Sequence, residues 1–212
     1  MVAPDDDEFD DAETADGERA DGPIDDEFDE AAFTQSMERE LPEFELTPAE
    51  HQRLKRALFT EDWTRLGRFE ERYFVCGSGS DDAAGARREL ATDRLEARAG
   101  ATAFRLEDFG LTGADLDLWW RAFDILCGRA TTIAVVLEDF HGGYASEMAY
   151  LWTPEYRDRT WLLMRIYADE ATMRERYDDP MARSCAIAFD REGRRLEWTD
   201  PAGFLAVLER VP

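Results

Sequence analysis

TTIAVVLEDFHGGYASEMAY, residues 131–150, decides how the chain is read. Its first part, TTIAVVLE (131–138), is rich in β-branched residues and free of charge until its end. A run so uniformly apolar belongs to a strand buried on both faces of a sheet. Gly142 and Gly143 then make a turn, and SEMAYLW (146–152) begins a helix.

The flanking sequence repeats the alternation. RYFVCG (72–77) reads as a short strand ending in Gly, 82–99 as a helix rich in Ala and Arg, and ATAFRL (101–106) as a strand. GADLDLWWRAFDILCGRA (113–130) reads as a helix with a strong apolar face. For Trp119 and Trp120, packing on the sheet and a homo-oligomer seam both fit. Beyond the opening stretch, TWLLMRIY (160–167) is a buried strand and about 169–177 a helix. CAIAF (185–189) is expected as a strand, EGRR (192–195) as a turn into RLEW, and DPAGFLAVLERV (200–211) as a closing helix capped by Asp200. The expected fold over 71–212 is therefore α/β. It is an open, doubly wound, flavodoxin- or Rossmann-like sheet, mostly parallel and five-stranded, with helices on both faces.

Ahead of this domain, TPAE (47–50) is a capping box with Pro at the first helical position. It predicts a helix running to about Leu66, within a helical N-terminal extension over 43–70. Residues 1–42 are a different material, expected as an acidic disordered tail. Residues 1–40 hold 17 acids against two arginines, so about −15 of the formal charge of −24 sits there. Inside the tail, DDEFDDA (6–12) and DDEFDEA (25–31) are near-copies, each setting one Phe in an acidic field. Two readings stand. One is a solubilising tail. The other is a pair of short motifs that dock Phe9 or Phe28 into the apolar, basic-rimmed pocket of a protein partner.

The chain has 212 residues, 49 acids and 25 bases, and Lys55 is its only lysine. An acidic, arginine-rich, nearly lysine-free composition reads as adaptation to strong salt, of the haloarchaeal kind. No basic patch is visible for a nucleic-acid backbone. No apolar run reaches the roughly 18–20 residues of a membrane span. The acidic start lacks the basic region of a signal peptide, so a cytoplasmic protein is expected. Cys76, Cys127 and Cys185 are widely spaced and read as buried hydrophobes; with two histidines and no Cys pair, no metal site is expected.

In an open parallel sheet, ligands bind beyond the carboxyl ends of the strands at the switch point of the strand order. Gly77, Ser78 and Gly79 stand at the end of the first strand, where Gly lets a backbone approach a ligand. Glu138, His141, Gly142, Gly143 and then Glu147 follow the central strand. Glu147 is either a working carboxylate or a charge that stabilises the start of its helix. His141 is either an acid/base group or an ordinary loop histidine, and His51 is expected at the surface.

The span DILCGRATTIAVVLEDFHGGYASEMAY (124–150) resembles the nucleoside 2-deoxyribosyltransferase-like group, a Rossmann-like group that shades into TIR-like domains. The matching pieces are Asp124, Ile125, the strand 133–137, Gly143, and Glu147-Met148-Ala149-Tyr150. FVCGSG (74–79) occupies the place of the group's first strand and WLLMRIY (161–167) that of the strand after its catalytic helix. Thr131 or Thr132 stands where the group often has Asp, and Ala149 where it has Gly. The resemblance implies a nucleoside or nucleotide substrate and cleavage or transfer at an N-glycosidic bond. It implies Glu147 as nucleophile, Asp124 as an acid near the site, Tyr150 or His141 in support, and no cofactor. The alternative is a nucleotide-binding sensor or interaction module without turnover.

Composition alone yields one test. The melting temperature is expected to rise as potassium chloride is raised from about 0.1 to about 2 M, because screening relieves acid–acid repulsion. A flat or falling curve by calorimetry removes the salt-adaptation reading.

Overall fold

A computed structural model describes residues 46–77, 83–111, 118–140 and 144–212. Five strands form one sheet: β1 (Glu71–Gly77), β2 (Ala101–Phe104), β3 (Thr132–Leu137), β4 (Thr160–Arg165) and β5 (Arg195–Trp198). Every neighbouring pair is parallel and the order is β2-β1-β3-β4-β5. The chain leaves β1 for one edge and returns to its other side at β3, so the order reverses between β1 and β3. Parallel pairing requires a crossover between strands, and helices supply each one.

Residue alternation divides the core in two. Phe74, Cys76, Phe104, Ile133, Val135, Leu137, Leu162 and Met164 face one side. That side is covered by α4 (Trp119–Arg129), α5 (Tyr144–Leu151) and α7 (Pro180–Arg191), through residues such as Phe123, Met148 and Phe189. Tyr73, Val75, Ala134, Val136, Leu163 and Trp198 face the other side, under α3 (Ala83–Glu96) and α8 (Pro201–Leu208). β3 is buried along its whole length, as its uninterrupted apolar sequence requires. Trp119 and Trp120 pack partly buried against the first core.

α1 (Pro48–Leu58) begins with the expected capping box: Thr47 accepts from the Glu50 amide and Glu50 accepts from the Thr47 amide. The single long helix expected here is in fact two. Phe59 leaves helical geometry, Thr60 is extended, and α2 (Glu61–Leu66) starts anew. The break lets Leu54 and Leu58 from α1 and Leu66 from α2 all reach the first core. Residues 1–45, with both Phe-bearing copies, lie outside the described residues.

CAIAF is not a strand. It lies inside α7, a twelve-residue helix. Asp179 caps it, accepting from the Ala182 amide at 2.8 Å, and Pro180 takes its first position. Ala182, Cys185, Ala186 and Phe189 are buried on one stripe at helical spacing. The fifth strand is RLEW, after the turn at Gly193, where φ is +68°. β2 ends at Phe104 because Asp108 takes the Arg105 amide at 2.7 Å and starts a 3₁₀ turn over Leu106–Phe109. α6 (Glu170–Arg176) is capped by Asp169. Among the described residues, no helix is long and apolar enough to cross a membrane.

Removing the α7 cap tests this correction. Asp179→Ala is expected to cost about 0.5–2 kcal/mol in urea unfolding. A change within error would mean that the 180–191 helix does not depend on its cap.

Candidate functional site

The crevice beyond β1 and β3 is shaped first by Gly77. Its φ is +147°, and a Cβ there would stand 2.8 Å from the Val136 carbonyl oxygen and 3.2 Å from Cδ of Arg88. The missing side chain leaves room for Arg88, on α3, to lie across the end of β1. Arg88 is 8% exposed and donates to the Gly77 carbonyl at 3.4 Å and to Glu107, in the turn after β2, through both terminal nitrogens.

Its neighbour Arg87 reaches the other way. It grips the Glu138 carboxylate with two parallel hydrogen bonds. Arg165, at the end of β4, donates to the same carboxylate at 2.8 Å. Both guanidiniums lie over the Trp198 indole, 5.5 and 5.4 Å from its ring centre. The Tyr167 hydroxyl donates to the Glu138 carbonyl at 3.0 Å. Glu138 is 5% exposed. Alternation past Leu137 sends it to the α3 side of the sheet, and its oxygens are engaged by two arginines. It ties strand ends together.

Glu147 belongs to the opposite side. It sits in the first turn of α5, directly after β3, and is partly buried. Among the described residues its carboxylate makes no ion pair or hydrogen bond. Burial pushes its pKa up to about 6, against the pull of the Arg88 charge. Below it lie two buried thiols, Cys76 of β1 and Cys127 of α4. Burial raises both well above the ordinary thiol range, and the Glu147 charge adds to the rise in each. Gly77, Arg88, Cys76 and Glu147 therefore converge at the switch point.

Asp124, on α4, anchors a second group. The Tyr156 hydroxyl donates to its Oδ1 at 2.6 Å and the Tyr150 hydroxyl donates to the same oxygen; Arg121 lies 3.6 Å from Oδ2. Burial raises the pKa of both tyrosines, and hydrogen bonding to Asp124 raises it further. Trp120, Phe123, Tyr150 and Tyr156 form an aromatic wall, with neighbouring ring centres 5.3 to 5.9 Å apart. Tyr150 is three residues after Glu147 on α5, so the two share a face.

Ser78, Gly79, His141, Gly142 and Gly143 lie outside the described residues. In sequence their segments join β1 to α3 and β3 to α5. His51 is exposed on α1. Among the described residues, no group of three or more His, Cys, Asp or Glu is placed to hold a metal ion. Sequence reasoning missed Arg87, Arg88, Glu107 and Trp120. Its one available signal was the Arg pair one turn into the helix that follows CGSGS.

Residues 25–192 match the Family of unknown function (DUF8170). The chain belongs to that family. The DUF8170 match holds every crevice residue named above except Trp198, and it begins at Asp25, inside the acidic segment. No curated protein and no solved structure has significant similarity to the chain.

The elevated Glu147 pKa has a consequence for stability. The folded chain holds this proton more tightly than the unfolded chain. The charge therefore costs stability above about pH 6, and the cost vanishes as pH falls below the ordinary value of 4.5. Glu147→Gln is expected to raise stability by about 1–2 kcal/mol at pH 7.5, with the gain shrinking from pH 6 to pH 4.5. A loss at pH 7.5 would show that the carboxylate is a structural tie.

Proposed function

We propose that the protein cleaves or transfers at the N-glycosidic bond of a nucleoside or nucleotide, with Glu147 as nucleophile. The observation that carries this is a desolvated carboxylate at the switch point, without an ion pair or hydrogen bond among the described residues, beside an aromatic wall. A carboxylate stripped of part of its water and of any hydrogen-bond donor is a stronger nucleophile than a solvated one. It attacks the anomeric carbon; the carbon–nitrogen bond breaks and the base leaves with the bonding pair, taking up a proton. Water or a second base then attacks the glycosyl ester and frees Glu147.

The wall suits the base. Trp120 and Tyr150 offer ring faces for stacking, which tolerates purines and pyrimidines alike. Asp124 is a positioning residue: by accepting from Tyr150 and Tyr156 it fixes the Tyr150 ring one turn from Glu147. His141, from its place ahead of Gly142 and Gly143, is the candidate to protonate the leaving base.

A second reading is a nucleotide-binding module without turnover. It is favoured by Arg88, a buried guanidinium whose partner, Glu107, is 40% exposed and could give way to a phosphate.

One assay separates them. Purified protein in strong potassium chloride is offered nucleosides, deoxynucleosides, nucleotides and NAD, and released base is read by chromatography. Base release is expected, falling by about 10³-fold or more in Glu147→Gln while substrate binding is kept. The rate should fall as pH drops through about 6, because protonation removes the nucleophile. No release from any compound by folded protein overturns the enzymatic reading.

A further inference from the structure

Another concavity lies between α6, α7 and the β4–β5 edge. It is a groove of about 430 Å³. Its apolar lining comes from Phe140, Met164, Ile166, Met173, Tyr177 and Ile187. Ile187 is left 47% exposed at its edge. Three arginines stand around it, each on a different element: Arg174, Arg183 and Arg195. Arg174 pairs with Glu170, and Arg195 with Glu197 at 3.0 Å and Asp190 at 3.1 Å. Arg183 makes no ion pair among the described residues, and it sits one helical turn before Ile187, on the same face of α7.

Glu170 and Glu197 line the groove too and occupy Arg174 and Arg195, which leaves Arg183 as the rim cation without an ion pair among the described residues. An apolar slot beside such a cation calls for an aromatic side chain flanked by acids. The chain carries that segment itself. We propose that DDEFDEA, residues 25–31, docks in this groove of its own chain, with Phe28 in the apolar slot and a flanking acid against Arg183.

Three observations choose this occupant. The charge is complementary: residues 25–30 hold five acids and no base around Phe28. The reach suffices: Phe28 is 18 residues before Leu46, a span of up to about 60 Å when extended. The folded body has a radius of gyration of only about 15 Å, so its far side is within range. The DUF8170 match also begins at Asp25, the first residue of this copy, and runs through α7. That selects Phe28 over Phe9. A second copy would have to approach against a like charge of −24, whereas a tethered segment is held near the groove at high local concentration.

Amide hydrogen exchange on the full chain tests the proposal. Phe28→Ala is expected to speed exchange over residues 170–191 by about three- to tenfold, at every protein concentration. Arg183→Glu should do the same and Phe9→Ala should not. Unchanged exchange in Phe28→Ala overturns the proposal. So does an effect confined to Phe9→Ala, which would name the other copy. An effect that fades on dilution would place a second molecule in the groove and equally overturn docking within one chain.

Discussion

The close approach of two backbones at Gly77 governs everything built at the carboxyl end of the sheet. β1 and β3 pair in register from Tyr73 with Thr132 to Gly77 with Val136. At the last rung the Val136 oxygen occupies the space a side chain would need. Glycine keeps the pairing intact to the end of the strand and opens a path over it for Arg88. Without that path, Arg88 could not bring its charge to bear on Glu147 as it does, and the turn after β2 would lose its tie to α3. One absent methyl group thus sets both a packing contact and the field of the crevice.

Arg87 and Arg88 show why this chain uses arginine where it buries charge. A guanidinium can bond a carboxylate in two places and still present its flat face to a ring. Arg87 grips Glu138 twice while lying over Trp198, and Arg165 adds a third bond from the other side. Desolvating Glu138 is costly, and paired donors are what offset that cost. An ammonium could supply neither the fork nor the stacked face. With 24 arginines to one lysine, the composition carries a local structural benefit at this edge.

Much of the fold was legible because it is written in local pattern. TTIAVVL could be little other than a central strand, and TPAE and DP announced helix starts. CAIAF was misread for a physical reason. Five apolar residues fit a strand or a buried helical stripe equally. The deciding signal lay upstream, in the Asp179–Pro180 pair that caps a helix. The break at Phe59 was invisible because it serves tertiary packing of Leu54, Leu58 and Leu66. Site residues divide the same way. As candidates, Glu147 stood out by its place after the best strand and Tyr150 through the resemblance over 124–150. Arg88 and Trp120 did not, since a long side chain's destination is set by elements far away in sequence.

Glu138 and Glu147 carry the remaining argument, because a protein so acidic offers no chemical clue in the mere presence of an acid. Both follow β3, nine residues apart, and both leave bulk water. Their fates differ through alternation and partners. Glu138 turns toward α3, where Arg87, Arg165 and Trp198 surround it and three arginine hydrogen bonds engage its oxygens. Glu147 turns to the other side, keeps partial access to solvent, and among the described residues feels the charge of Arg88 without bonding to it. A carboxylate that merely had to be accommodated would gain from a donor, as Glu138 has. Glu147 is desolvated and has no donor among the described residues, so its charge is held at a cost that Glu138 avoids.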